Sequence, residues 1–173
     1  YIIGIRSCAP LASFMAFYFT LMFPNVHLIQ TSSSSEIFEQ MVRIGKEDVI
    51  IGISFPRYSM RTLKAMEFAN NRSAKVITLT DSVHSPMNLY SSCNLIADSD
   101  MASIVDSLVA PLSVINALIV ALCMKKQNEV AKTLEMLEDI WDEYQVYEND
   151  EINYIDDSIK MRYGKVGDAE LYE

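Results

Sequence analysis

The apolar residues of this chain fall into short β-branched runs separated by longer stretches with helical spacing. Val49 to Ile53, interrupted only by Gly52, is apolar on both faces. Such a run fits a strand buried in a parallel sheet, because only helices on both sides keep both faces from water. It leads into a hydroxyl-rich turn, Ser54 to Ser59, and then into the helical spacing of Met60 to Arg72. The same cadence predicts strands over Tyr1 to Ile5, Val26 to Ile29, Lys75 to Leu79 and Leu95 to Ala97. Helices are predicted over Pro10 to Phe23 and, after the polar turn Thr31 to Ser35, over Glu36 to Ile44. Strand and helix in strict alternation predict an α/β protein: a three-layer αβα sandwich on a five-stranded parallel sheet.

Leu108 to Met124 is apolar on nearly all sides, so this helix needs cover all round; the sheet supplies one face and a second subunit the other. Beyond Lys125 the composition turns acidic. Val130, Leu134, Leu137, Trp141 and Tyr144 alternate at steps of four and three, which predicts one amphipathic helix over Gln127 to Tyr147. Asn149 to Glu173 has no periodicity and many acids, and reads as a tail. The expected division is therefore a domain over 1–124, a helical extension over 125–148 and an acidic tail over 149–173.

With 173 residues, half of them hydrophobic, the chain can bury a full core in one domain. A formal net charge of −9 argues against this segment gripping nucleic acid, which demands clustered Lys and Arg. Three cysteines without paired spacing and two distant histidines suggest a reducing, cytoplasmic setting and neither metal nor cofactor. Cys8 to Phe23 and Leu108 to Met124 fall short of the roughly 20 residues a bilayer core requires, so no membrane span is expected. The chain begins directly in a strand, YIIGI, without a basic leader, which suggests that something precedes Tyr1 in the full gene product.

The loop after a buried parallel strand lies at the carboxyl edge of the sheet, where the next helix points its first amides at a ligand. After the central strand, Ser54, Tyr58, Ser59 and Thr62 offer hydroxyls, and Arg57 offers a planar fork suited to phosphate. After the first strand, Gly4 lets the backbone pass close to a ligand and Ser7 stands near the helix start. Secondary candidates are Ser32, Ser33, Ser34 and Ser35 in the second turn, and Thr80 and His84 in the fourth. Each serine also has a plainer use, in capping a helix or closing a turn.

Two motifs carry a resemblance over about Tyr1 to Met124. YIIGIRSCAP resembles the Gly-x-Gly-x-Ser loop of the SIS (sugar isomerase) domain, with Arg6 at the second glycine and Ser7 one place further on. ISFPRYS stands where that family shows Ser-x-Ser-Gly-x-Thr: Ser54 keeps the first serine, Pro56 and Arg57 replace the middle serine and the glycine, and Ser59 stands for the threonine. With AKVITLTDSVHSP and SLVAPLSVINAL following, the chain looks most like the C-terminal effector domains of RpiR-type transcriptional regulators. The resemblance implies a flavodoxin-like fold and a sugar phosphate or related metabolite as ligand. The all-round apolar helix and the amphipathic helix are equally compatible with a homodimer or a tetramer, formed through Leu108 to Met124 and the C-terminal helix. DNA would be bound only by a helix-turn-helix domain absent from these residues.

An aldose–ketose isomerase needs a base that moves a proton between adjacent carbons, and a group that opens the ring. SIS isomerases supply a glutamate from the segment before the last helix, which here reads IADSDMASIVD and offers only Asp98 and Asp100 nearby. His84 falls in a polar turn and Glu67 inside a helix. Sensing is therefore favoured over catalysis, with an isomerase and a ligand-free dimerisation module as the alternatives.

Overall fold

At the centre of the sheet lies the strand with the most continuous apolar run. In the computed structural model, which describes residues 1–30, 33–99 and 107–147, the order is β1 (Ile2–Gly4), α1 (Ala9–Met22), β2 (Leu28–Ile29), α2 (Ser34–Gln40), β3 (Val49–Ile53), α3 (Met60–Asn71), β4 (Lys75–Thr80), β5 (Cys93–Ile96), α4 (Val109–Lys125) and α5 (Gln127–Glu143). Short 3-10 turns at Arg6–Cys8 and Pro86–Tyr90 complete the connections. All four strand pairs are parallel, in the order β2-β1-β3-β4-β5. Registers at the carboxyl edge pair Gly4 with Ile53 and Ile53 with Leu79.

Alternation along β3 feeds two cores. Ile51 and Ile53 point to a layer built on α1 and α4 through Leu11, Met15, Phe19, Ile115 and Ile119. Ile50 points the other way, to a layer built on α2 and α3 through Ile37, Met41, Ala65 and Met66. Gly52 faces that second layer too, and a Cβ there would collide with the Met66 thioether. Its absence lets α3 seat deeply on the strand.

Boundaries differ from the sequence reading at instructive places. α2 starts at Ser34 rather than Glu36 and stops at Gln40, with Ser33 as an N-cap that makes no side-chain capping bond. β4 continues through Thr80, which places that residue inside the sheet. Along α4, Pro111, Ile115 and Ile119 are buried, while Val109, Val120 and Met124 are 74%, 57% and 66% exposed in the single chain, on the side where a second subunit was expected to supply cover. Among the described residues no single helix is long and apolar enough to cross a membrane.

The chain divides into two compact units, Tyr1–Val130 and Ala131–Glu173. Within the second, α5 ends at Glu143 rather than Tyr147, and the chain turns back so that the Val146 amide donates to the Trp141 carbonyl at 3.0 Å and Tyr147 meets Trp141 edge to face. The tail expected over 149–173 lies outside the described residues.

Candidate functional site

The loop after β1 is shaped by Gly4. A Cβ there would stand 2.5 Å from the Cys8 carbonyl oxygen and 3.1 Å from Ala12 Cβ, so only glycine lets the start of α1 cross the strand end. The chain then turns at Arg6, which holds a left-handed φ of 58°, and the Cys8 amide closes the turn on the Ile5 carbonyl at 3.3 Å. Arg6 and Ser7 are both exposed. Beside them a cavity of about 190 Å³ opens between the ends of β1 and β2, with Gly4, Ile5, Arg6, Ala9, Ile29 and Gln30 among its walls.

The loop after β3 is closed by its own serines. The Ser54 amide donates to the Leu79 carbonyl at 3.1 Å, and Ser54 Oγ accepts from the Ser59 amide at 3.0 Å. Ser59 in turn caps α3, its Oγ accepting from the Thr62 amide at 3.3 Å. At the apex Arg57 is exposed with a φ of 60°. Phe55 pins the loop from below, 5% exposed. The left-handed turn that a glycine would make is therefore kept, with a guanidinium mounted on it.

Thr62, expected among the ligand contacts, is instead fully enclosed where α3 packs on Gly52, and its Oγ1 has no hydrogen-bond partner among the described residues. Tyr58 also differs from expectation: its phenol donates its one proton to Asp81 Oδ1 at 2.9 Å. Burial first, and the bond to Asp81 next, push the Tyr58 phenol above its ordinary value. Ser54 is buried as well, so its hydroxyl serves the loop before it serves any ligand.

Thr80 Oγ1, enclosed at the end of β4, lies 3.1 Å from Asp81 Oδ1 and 2.9 Å from Ser85 Oγ. Ser85 accepts from the Met87 amide at 3.3 Å and starts the second 3-10 turn. Thr80 is thus a structural partner of Asp81 rather than a loop hydroxyl facing outward. His84 is exposed, its amide donating to Ser82 Oγ at 3.2 Å. Ser33 and Ser35 bond each other through their hydroxyls at 2.8 Å, and Ser34 lines a separate hollow of about 240 Å³ with Ile37, Phe38, Met60, Arg61 and Lys64. Ser32 lies outside the described residues.

The topology thus brings Gly4, Ser7, Ser54, Arg57 and Ser59 to the ends of the adjacent strands β1 and β3. Of the acids weighed as an isomerase base, Glu67 faces the Tyr90 phenol, Asp98 is exposed beyond β5, and Asp100 lies outside the described residues. Among the described residues no three of His, Cys, Asp and Glu cluster as a metal site would require.

Two residues at this edge escaped the sequence reading of the site. Asp81 follows directly on β4, and the carboxyl edge of a parallel sheet is where such a residue meets its neighbours' loops. Arg6 was visible as a replacement for glycine, and the signal was that Arg57 replaces one too.

A family model described as the SIS domain matches residues 1–121. An uncharacterized HTH-type transcriptional regulator of Caldanaerobacter subterraneus subsp. tengcongensis is 32% identical over 98 residues, 54% of this chain. The match spans only 35% of that regulator's length. Among solved structures, the sugar isomerase domain of an RpiR transcription factor from Sphaerobacter thermophilus superposes with a TM-score of 0.74 at 22% identity, covering 80% of this chain and 76% of its own. Vibrio vulnificus NanR complexed with ManNAc-6P gives 0.66 at 18% identity, over 80% of this chain and 55% of NanR. A Methanococcus jannaschii protein with an inferred 3-hexulose-6-phosphate isomerase function gives 0.59 at 14%, over 76% and 74%. The fold is shared by regulators and by a protein with an inferred isomerase function.

Proposed function

Because the chain belongs to the SIS domain family, we propose that it is the effector-sensing domain of a cytoplasmic transcriptional regulator, binding a sugar phosphate without converting it. The observation that carries this reading is the loop after β3, a self-closed turn whose apex presents an exposed guanidinium beside the first turn of α3. A phosphate docks there on Arg57, with Ser7 within the same edge and the Ser59 turn as its frame. The regulator relative and the NanR complex support sensing over turnover. Of the acids weighed as an isomerase base, Glu67 faces the Tyr90 phenol and Asp98 is exposed beyond β5, which supports sensing over isomerisation.

Signalling then runs by population shift: ligand that draws the β1 and β3 loops together favours one arrangement of the helices behind them. The outward face of α4, uncharged from Val109 to Met124, supports pairing with a second copy of the chain, which would pass that bias to DNA-binding domains elsewhere in the protein.

A thermal-shift titration of the chain against sugar phosphates, sugar acids and inorganic phosphate tests the reading. A ligand at about 100 times its Kd adds about 2.7 kcal/mol to stability, so the melting temperature should climb with concentration, and Arg57→Gly should suppress the climb. A flat response to every compound overturns the proposal, and conversion of a bound aldose phosphate to its ketose replaces sensing with isomerisation.

A further inference from the structure

We infer that the ligand carries a second anionic group besides its phosphate, with Arg57 holding one anion and Arg6 the other; the inference rests on the sugar-phosphate reading above. Four non-glycine residues among those described have positive φ: Arg6, Arg57, Ser73 and Gln145. Ser73 and Gln145 follow the ends of α3 and α5, where a left-handed residue is a routine helix stop. The two arginines follow strands, at the positions where the sequence motifs place glycine. A bulky residue held left-handed is uncommon, and twice at one edge it marks places where a side chain is needed more than an easy turn.

The placement fits one ligand. β1 and β3 are hydrogen-bonded neighbours, Gly4 opposite Ile53, so their loops leave the sheet side by side, about 4.8 Å apart at the strands. Both arginines are exposed, and among the described residues neither has a carboxylate partner, although acids outnumber bases in the chain 23 to 14. Arg6 also borders the cavity of about 190 Å³, roughly the room of six waters. The walls there are apolar at Ile5, Ala9, Leu28 and Ile29, and the Gln30 amide nitrogen donates one hydrogen bond to Ser13 Oγ at 3.2 Å. A carbon chain lies against those walls while its terminal anion meets the only cation among them. A guanidinium accepts a carboxylate or a phosphate in two parallel bonds, whereas a neutral hydroxymethyl end would leave it unmatched.

Calorimetry on the whole chain tests this with matched pairs of five- and six-carbon probes: each aldose phosphate beside its aldonate phosphate, and each monophosphate beside its bisphosphate. At least one doubly anionic member should bind about tenfold tighter than its singly anionic partner, as for one charge-assisted contact. Arg6→Gly, which keeps the φ of 58° without strain, should bring that ratio close to one. A preference for carboxylate or for phosphate identifies the second anion. Equal binding within every pair, or a preference that survives Arg6→Gly, overturns the second-anion assignment alone. Failure of every probe to bind overturns the sugar-phosphate reading together with it.

Discussion

The Tyr58 phenol donates to Asp81 Oδ1 at 2.9 Å, and this one bond fastens the turn after β3 to the end of β4. Thr80 approaches the same oxygen from within the sheet at 3.1 Å. The carboxylate is thus held by two hydroxyls, and the loop bearing Arg57 inherits its position from the strand beside it.

Replacing Tyr58 with Phe should cost about 1 kcal/mol at neutral pH, because one hydrogen bond to a half-buried carboxylate is lost. The pH dependence has a definite sign. Burial and Asp81 raise the phenol's pKa above its ordinary value of 10.0, so the stabilisation is complete below about pH 10 and is lost as pH rises through the folded value. Urea midpoints should therefore converge for parent and Tyr58→Phe in strong alkali. A gap that stays constant up to alkaline unfolding would show that the phenol's proton is irrelevant.

Arg57 holds a φ of 60°, which glycine adopts freely and alanine does not. Arg57→Gly should be about 0.5–1 kcal/mol more stable than Arg57→Ala in chemical denaturation, the relief of left-handed strain exceeding the added chain entropy. Both should lose about 1.5–3 kcal/mol of phosphate-ligand binding, the range for a hydrogen bond to a charged group.

Gly4→Ala should destabilise the fold by about 1–3 kcal/mol, since the new methyl meets the Cys8 backbone rather than a side chain that can swing away. Gly45→Ala is the control, with nothing within 4 Å of its would-be Cβ. Equal denaturation midpoints for the two variants would contradict the close approach of α1.

Val120, 57% exposed on the bare face of α4, should be needed for self-association. Val120→Glu is expected to lower the mass measured by light scattering to that of one chain while leaving the circular dichroism unchanged. A parent that is already monomeric, or a variant that remains associated, would locate any contact between copies elsewhere.

Much of the fold was legible because its signals are local and repeated. β3 begins and ends where its β-branched run does, and α3 starts at the capping serine, Ser59. The errors came where tertiary context overrides spacing. The serines before α2 look alike in sequence, and nothing local says which one begins the helix. Thr62 and Tyr58 were legible as hydroxyls near the site, but whether a hydroxyl is turned inward depends on Gly52 and Asp81, which come from other elements. Arg6 and Arg57 each looked like a lost glycine. Their common backbone conformation, a property of φ and not of residue type, could be seen only in the fold.

The order β2-β1-β3-β4-β5 also sets a timetable for assembly. β1 is an inner strand, with Ile2 paired to Leu28 on one side and to Ile51 on the other. As a growing chain leaves the ribosome, these residues emerge before either neighbour, and the strand waits with an open edge until β3 has cleared the exit. Parallel pairing over such sequence separations is slow to nucleate, since loop closure must precede any contact it rewards. Nascent chains stalled before β3 would therefore expose a sticky apolar edge, and this is the stage at which a chaperone would have most to protect.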